Sequence, residues 1–307
     1  MMSDIRILAE EFASEFPTAQ VRFREAMSSH TTFRIGGVAE AMVSPADEGQ
    51  LRTLCALCHS RKIKPLLLGK GSNLLVQDEP LHRLVIHTGL LDSLTLDGDT
   101  VTAQCGVTLA GLAVFAMEHG LTGLEFAHGI PGSVGGAVSM NAGAYGGEMK
   151  DVIVSVTCVS PDGSLHVYEN SDCDFSYRHS RFSDGADCIV SASFRLKSGD
   201  KAEIRACMDD LMARRKAKQP LNLPSAGSTF KRPPNGYASA MIDEAGLRGK
   251  GVGNACVSEK HAGFVVNMGG ATFRDVTATM KLVQDTVLRT HGTLLEPEVK
   301  IIRDDVP

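Results

Sequence analysis

Two glycine-rich segments carry the chemical signal of this 307-residue chain. Residues 129–147 read GIPGSVGGAVSMNAGAYGG, and residues 68–75 read LGKGSNLL directly after the apolar run at 65–68. Glycine at that density removes side chains, so that backbone N–H groups can come close to a bulky anion. Two such cradles point to a long ligand with phosphates, such as a dinucleotide. The plainer reading is a pair of tight loops in an ordinary sheet. It is stronger for the short segment, because glycine turns after strands are common. Neither segment is a standard phosphate motif: Gly69-Lys70-Gly71-Ser72-Asn73-Leu74 fails G-x-G-x-x-G at its last position, and G-x-x-x-x-G-K-[ST] occurs nowhere. A P-loop nucleoside triphosphatase and a Rossmann dehydrogenase are both disfavoured.

The cysteines offer less. Cys55-Ala-Leu-Cys58-His59 fits the pattern for covalent haem attachment. That attachment normally needs export, and the acidic N-terminus MMSDIRILAEEF has no signal-peptide pattern. Leu51, Leu54, Cys55 and Cys58 share one helical face, and there is no second C-x-x-C to complete a zinc site. The eight cysteines read as free thiols, mostly buried, in a cytoplasmic protein without a metal. Net charge of −5 leaves no electrostatic footprint for nucleic acid, and no apolar tract is long enough for membrane insertion.

The elements that must position these residues follow from periodicity. A helix is predicted around Ile7, Leu8 and Phe12, ending at Pro17, followed by a polar strand-like segment at 29–37 that delivers Arg34 beside two glycines. A helix at 47–61 precedes a buried strand at 63–68, further strands at 84–87 and 101–105, and a helix at 108–119 capped by Gly120. Residues 152–159, 165–168 and 188–196 read as antiparallel strands. The polar stretch 197–200 is the best domain boundary. Beyond it come a helix at 202–217 with Ile204, Cys207, Met208, Leu211 and Met212 on one stripe, and an irregular stretch with four prolines at 219–234. A helix at 273–291 capped by Gly292 and a last strand at 299–302 complete the chain. The sum is an α+β chain: residues 1–199 as the ligand domain, in two parts split near 90–100, and 200–307 as a smaller C-terminal domain.

The set HTTFRIGG (30–37), LGKGSNLL (68–75) and the 129–147 stretch resembles the FAD-binding domain of the vanillyl-alcohol-oxidase type. FSYRHSRF (175–182), PSAGSTFKRP (224–233), AMIDEAGLRG (240–249), VSEKHAGFVVN (257–267) and LLEPEVKII (294–302) narrow the resemblance to the UDP-N-acetylenolpyruvoylglucosamine reductase family. The motifs run in the family's order over nearly the whole chain. The resemblance implies non-covalent FAD, NADPH as reductant, and a nucleotide-sugar substrate whose enolpyruvyl group is reduced in peptidoglycan synthesis. It places the protein in cell wall biogenesis, on which cell shape and division depend.

Three residues match the family's catalytic positions. Arg178 would hold the substrate carboxylate, since a guanidinium fork donates two parallel bonds to a planar dianion. Ser228 would protonate C2, and Glu298 would polarise the carboxylate. On local evidence alone these are a surface arginine, a turn serine and an exposed strand-edge glutamate. Glu296 is a rival to Glu298 by type, but the Glu-Val-Lys-Ile-Ile pattern favours Glu298. For the substrate, the resemblance adds Tyr177, Arg215, Lys218 and Lys231. For FAD, it implies the backbone of Gly69, Lys70, Gly71, Ser72, Asn73 and Leu74, and of Gly129, Ile130, Pro131, Gly132, Ser133, Gly135 and Gly136. Arg34, Asn73 and Asn141 are the expected side-chain contacts. Two departures stand out. Arg232 replaces the asparagine of one branch, and the 150–200 segment lacks the tyrosine-bearing loop of the longer branch, which places this chain in the shorter one. A flavin oxidase of the same fold, acting on a sugar or lactone, would share the cradles but not the GSTF and EPEVKII segments. The oligomeric state is open, with a monomer favoured.

Overall fold

In the computed structural model, which describes residues 3–304, apolar spacing and caps set each helix. Helix α1 (Asp4–Glu15) starts where the Ser3 hydroxyl accepts the Arg6 N–H, and it buries Leu8, Ala9 and Phe12. Helix α2 (Glu48–Ser60) is capped by Asp47 and buries Leu51, Leu54, Cys55 and Cys58, which accounts for the C-x-x-C spacing as a core face. Helix α3 (Leu109–Glu118) is capped by Thr108 and stops before Gly120, whose φ of 68° suits the left-handed exit. The short helix α4 (Val134–Ser139) lies inside the long glycine stretch.

These helices belong to the first of two units, formed by the chain up to Glu25, Glu40–Lys70 and Arg83–Arg214. It holds a four-stranded sheet in the order Gln20–Ala26, Val38–Ser44, Leu81–His87, Leu66–Leu68, the last pair parallel. A five-stranded sheet runs in the order Leu165–Glu169, Ile153–Val159, Cys188–Arg195, Thr100–Gln104, Leu94–Asp97, antiparallel throughout. Along Cys188–Arg195 the apolar side chains Val190, Ala192 and Phe194 are buried and Arg195 is exposed, as the alternation predicts. One core extends from Leu8 to Met208.

The second unit comprises Ala26–Ala39, Gly71–His82 and the chain from Arg215. Helix α5 (Lys201–Lys218) begins just after the boundary expected at 199/200, and the two units divide within it, after Arg214. The early segments pack with the late ones because Phe33, Ile35 and Leu75 share a core with Ile242, Val276, Val283 and Val299. Helix α7 (Phe273–His291) packs on an antiparallel sheet of Gly251–Val252, Ala255–Val257 and Val265–Asn267, and helix α6 (Ala238–Glu244) packs against α7. Strand Lys300–Ile302 pairs in parallel with Leu74–Val76.

Three expectations need correction. Residues 29–37 are not strand-like: the Thr31 hydroxyl bonds both the carbonyl and the N–H of Ile35, and Arg34 adopts φ 57°, so the run folds into turns. The strand expected at 63–68 is only Leu66–Leu68. Cys207 is exposed on α5, whose buried line is Ile204, Met208 and Arg215.

Candidate active site

The glycine segments meet in the first unit. A Cβ on Gly69 would lie 2.3 Å from the Ser133 hydroxyl, and one on Gly135 would lie 2.9 Å from the Cys105 Cβ. These glycines are therefore required for close backbone packing, as the plainer reading holds. In the second unit, Gly71 adopts φ 59°, and a Cβ there would fall 2.0 Å from the His30 carbonyl oxygen. Gly136 differs: a Cβ there would meet nothing closer than 3.8 Å, so protein packing does not demand its missing side chain. The backbone N–H groups of Lys70, Gly71 and Ser72, and of Gly132, Ser133 and Gly136, donate to no acceptor among the described residues. Unused donors on bare backbone suit an anion, and those of Gly132, Ser133 and Gly136, within the first unit, fit the diphosphate of FAD. Ser133 is buried, Pro131 exposed, and Gly129, Ile130 and Gly132 are half-buried.

Two of the expected side-chain contacts bond within the protein. Asn141, 1% exposed, donates from Nδ2 to the Glu148 carboxylate at 2.9 Å and to the Ser176 carbonyl at 3.0 Å, while its Oδ1 accepts the Lys150 N–H. Both of its amide protons are thereby committed within the protein. Asn73 donates from Nδ2 to the carbonyl of Glu298 at 3.1 Å. Arg34, by contrast, is exposed at the tip of its turn. Leu74 starts the strand that pairs with Lys300–Ile302.

Tyr177 and Arg178 form the tip of a two-residue turn. Ser176 and His179 exchange both backbone hydrogen bonds across it, at 3.1 and 3.2 Å. Arg178 has φ 55°, its guanidinium carbon lies 5.2 Å from the Tyr177 ring centre, and one terminal nitrogen is 3.5 Å from the Gly143 carbonyl oxygen. Tyr177 is 47% exposed and Arg178 half-buried, so an aromatic face and a cation are offered together.

In the second unit, residues 229–231 run beside 296–298. Phe230 bridges Pro297, the Glu298 N–H donates to the Thr229 carbonyl at 2.9 Å, and the Lys231 N–H donates to the Glu296 carbonyl. Ser228 precedes this pair, half-buried, after Gly227 at φ 75°. Thr229, which the sequence reading passed over, pins the segment. It is 1% exposed, its N–H donates to the Gly263 carbonyl, and its hydroxyl accepts the Val265 N–H at 2.9 Å. A threonine following the turn serine was the only signal for it. The rival Glu296 forms an ion pair with Lys231 and is well exposed, whereas Glu298 is half-buried. Lys231 is thus held at the strand edge by a carboxylate.

Arg215 is 8% exposed in the last turn of α5 and donates to the Gln219 side chain at 3.2 Å; Lys218, three residues on, is exposed. His261 accepts the Gly263 N–H on Nδ1. Burial, with Arg248 and Lys218 nearby, holds its pKa below the ordinary histidine value. It is neutral at neutral pH, with its other ring nitrogen protonated.

The fold and these loops define a class: an α+β flavoprotein with a two-part FAD-binding domain of the vanillyl-alcohol-oxidase type and a further C-terminal domain. Residues 39–168 match the family described as FAD binding domain, and residues 219–302 match UDP-N-acetylenolpyruvoylglucosamine reductase, C-terminal domain. The UDP-N-acetylenolpyruvoylglucosamine reductase of Agathobacter rectalis is 47% identical over 291 residues, 91% of this chain and 92% of the relative. That of Caldanaerobacter subterraneus subsp. tengcongensis is 41% identical over 296 residues, 96% of this chain and 98% of the relative. The crystal structure of UDP-N-acetylenolpyruvylglucosamine reductase from Thermus caldophilus has TM-score 0.81 at 34% identity, covering 93% of this chain and 100% of that one. The chain belongs to the UDP-N-acetylenolpyruvoylglucosamine reductase family.

Proposed function

We propose that this protein reduces UDP-N-acetylglucosamine enolpyruvate to UDP-N-acetylmuramate for peptidoglycan synthesis, and that Arg178, Ser228 and Glu298 carry the reaction. The observation that carries the assignment is the pairing of the Thr229 and Glu298 backbones, which presents the adjoining serine and the glutamate from one held segment. FAD held by the glycine loops would supply hydride-transfer chemistry, with NADPH as the reductant and C3 of the enolpyruvyl group as the acceptor. The Arg178 guanidinium binds the substrate carboxylate and offsets the negative charge that develops on it and on C2. The Ser228 hydroxyl gives its proton to C2. Serine is a weak acid, so it serves only a strongly basic carbanion at C2. Glu298, sharing a proton with the carboxylate, completes the polarisation. Tyr177 packs beside the sugar, and Arg215, Lys218 and Lys231 bind the substrate's anionic groups. The backbone of 69–74 and 129–136, with Arg34, holds the cofactor.

Among the described residues no helix is long and apolar enough to cross a membrane. We place the protein in the cytoplasm, in the cell wall biogenesis that sets cell shape and permits division. The testing experiment is an anaerobic absorbance trace. NADPH should bleach the flavin band, and UDP-N-acetylglucosamine enolpyruvate should restore it. Bleaching without return would overturn the substrate assignment and favour the oxidase alternative.

A further inference from the structure

We propose that Asn141, with Ser180, is a positioning residue for Arg178, locking the turn that carries the arginine to the helix that starts in the FAD loop. The inference rests on the reading of Arg178 as the carboxylate-binding residue. Each leg of the Ser176–His179 turn is tied down separately. On the leading leg, the Asn141 amide donates to the Ser176 carbonyl at 3.0 Å. On the trailing leg, Ser180, fully buried, donates its hydroxyl to the Ser139 carbonyl at 2.9 Å. Ser183 donates to the same carbonyl at 2.8 Å, and its hydroxyl accepts the Ser180 N–H. Ser139 ends α4 and Asn141 follows two residues later, so both anchors lie at the C-terminal end of a helix that begins one residue after Ser133.

The consequence is geometric. Helix α4 spans only Val134–Ser139, and its start is fixed by the Val134 N–H on the Val107 carbonyl and the Gly135 N–H on the Cys105 carbonyl. A displacement of the cofactor loop and a displacement of Arg178 are therefore coupled through one rigid turn and a half of helix. Arg178 at φ 55° and Asn141 at φ 40° both occupy the left-handed region. Non-glycine residues persist there when their surroundings over-determine them, and here the surroundings are these two anchors. A loosening of about 1 Å can cost roughly 100-fold in rate.

The test compares Asn141→Gly with Ser180→Ala and Arg178→Ala in the flavin-loaded enzyme. Glycine tolerates φ 40°, so Asn141→Gly removes the side-chain bonds without adding strain. Reduction by NADPH should stay within about threefold of the parent, while reoxidation by the enolpyruvyl substrate should slow by roughly 10–100-fold. Binding of UDP-N-acetylmuramate, followed by titration, should weaken about 10-fold by the same loss of aim. The double variant Asn141→Gly/Arg178→Ala should be no slower than Arg178→Ala, because both remove the same contact. Losses that multiply, or equal slowing of both half-reactions, would overturn the inference. Ser180→Ala removes a single hydroxyl and carries the same test if Asn141→Gly loses its flavin. If Arg178→Ala itself leaves reoxidation unchanged, the role of Arg178 fails, and this inference with it.

Discussion

At the scale of single residues, the reaction divides between groups that can be separated by their half-reactions. Ser228→Ala should leave flavin reduction by NADPH almost intact and slow reduction of the enolpyruvyl substrate by roughly 10²–10⁴-fold, read by stopped-flow absorbance. Equal loss in both steps would remove Ser228 as proton donor. Arg178→Lys should recover little of what Arg178→Ala loses, since an ammonium cannot reproduce a two-bond fork. Two histidines govern a pH response of the fold. Burial lowers His128, beside Arg205, and His261, beside Arg248 and Lys218. Their folded pKa values lie below the ordinary 6.5, so the unfolded chain takes up these protons first. Their contribution is complete above pH 6.5 and is lost as pH falls toward the folded values. Melting temperatures from pH 7.5 to 5 should therefore drop less steeply in His128→Asn and His261→Asn than in the parent; identical slopes would refute the assignment.

At the scale of elements, legibility followed local rules. Helix α7 was readable to the residue: Val276, Met280, Val283 and Val287 lie on one face, and Gly292 at φ 65° caps it. The antiparallel strands at 153–159 and 188–195 were readable from alternation. Strands Gln20–Ala26 and Val38–Ser44 were not assigned from the sequence, and the hairpin at 251–257 was not either, because its strands are two and three residues long. Short strands are defined by partners rather than by pattern. The roles of Asn141 and Asn73 were hidden for a related reason: an amide's partners are set by tertiary placement, and Asn73 reaches 225 positions along the chain to Glu298. Thr279 is similar. Fully buried in α7, its hydroxyl donates to the Ala255 carbonyl and accepts the Val252 N–H, joining helix to hairpin. Thr279→Val keeps the shape but strands both backbone groups, and should cost roughly 1–3 kcal/mol in urea unfolding. No change in midpoint would mean that the hairpin re-forms without it.

At the scale of the whole molecule, family motifs identified the reductase from sequence, while the path of the chain through its two units was not legible. Motifs are ordered along the chain; packing is not. Residues 200–307 expressed alone would lack Phe33, Ile35 and Leu75 from their own core, and the Leu74–Val76 partner of the last strand. That fragment should show no cooperative thermal transition, and a sharp transition would contradict the interleaved arrangement. The same arrangement has a consequence in time. During synthesis, the apolar residues near position 33 leave the ribosome early, yet Thr32 finds its partner Ser225 only 193 residues later. The second unit cannot close until the terminal strand has been made, so the nascent protein carries an unfinished core for most of its translation. Its vulnerability to aggregation should depend on elongation rate rather than on final stability.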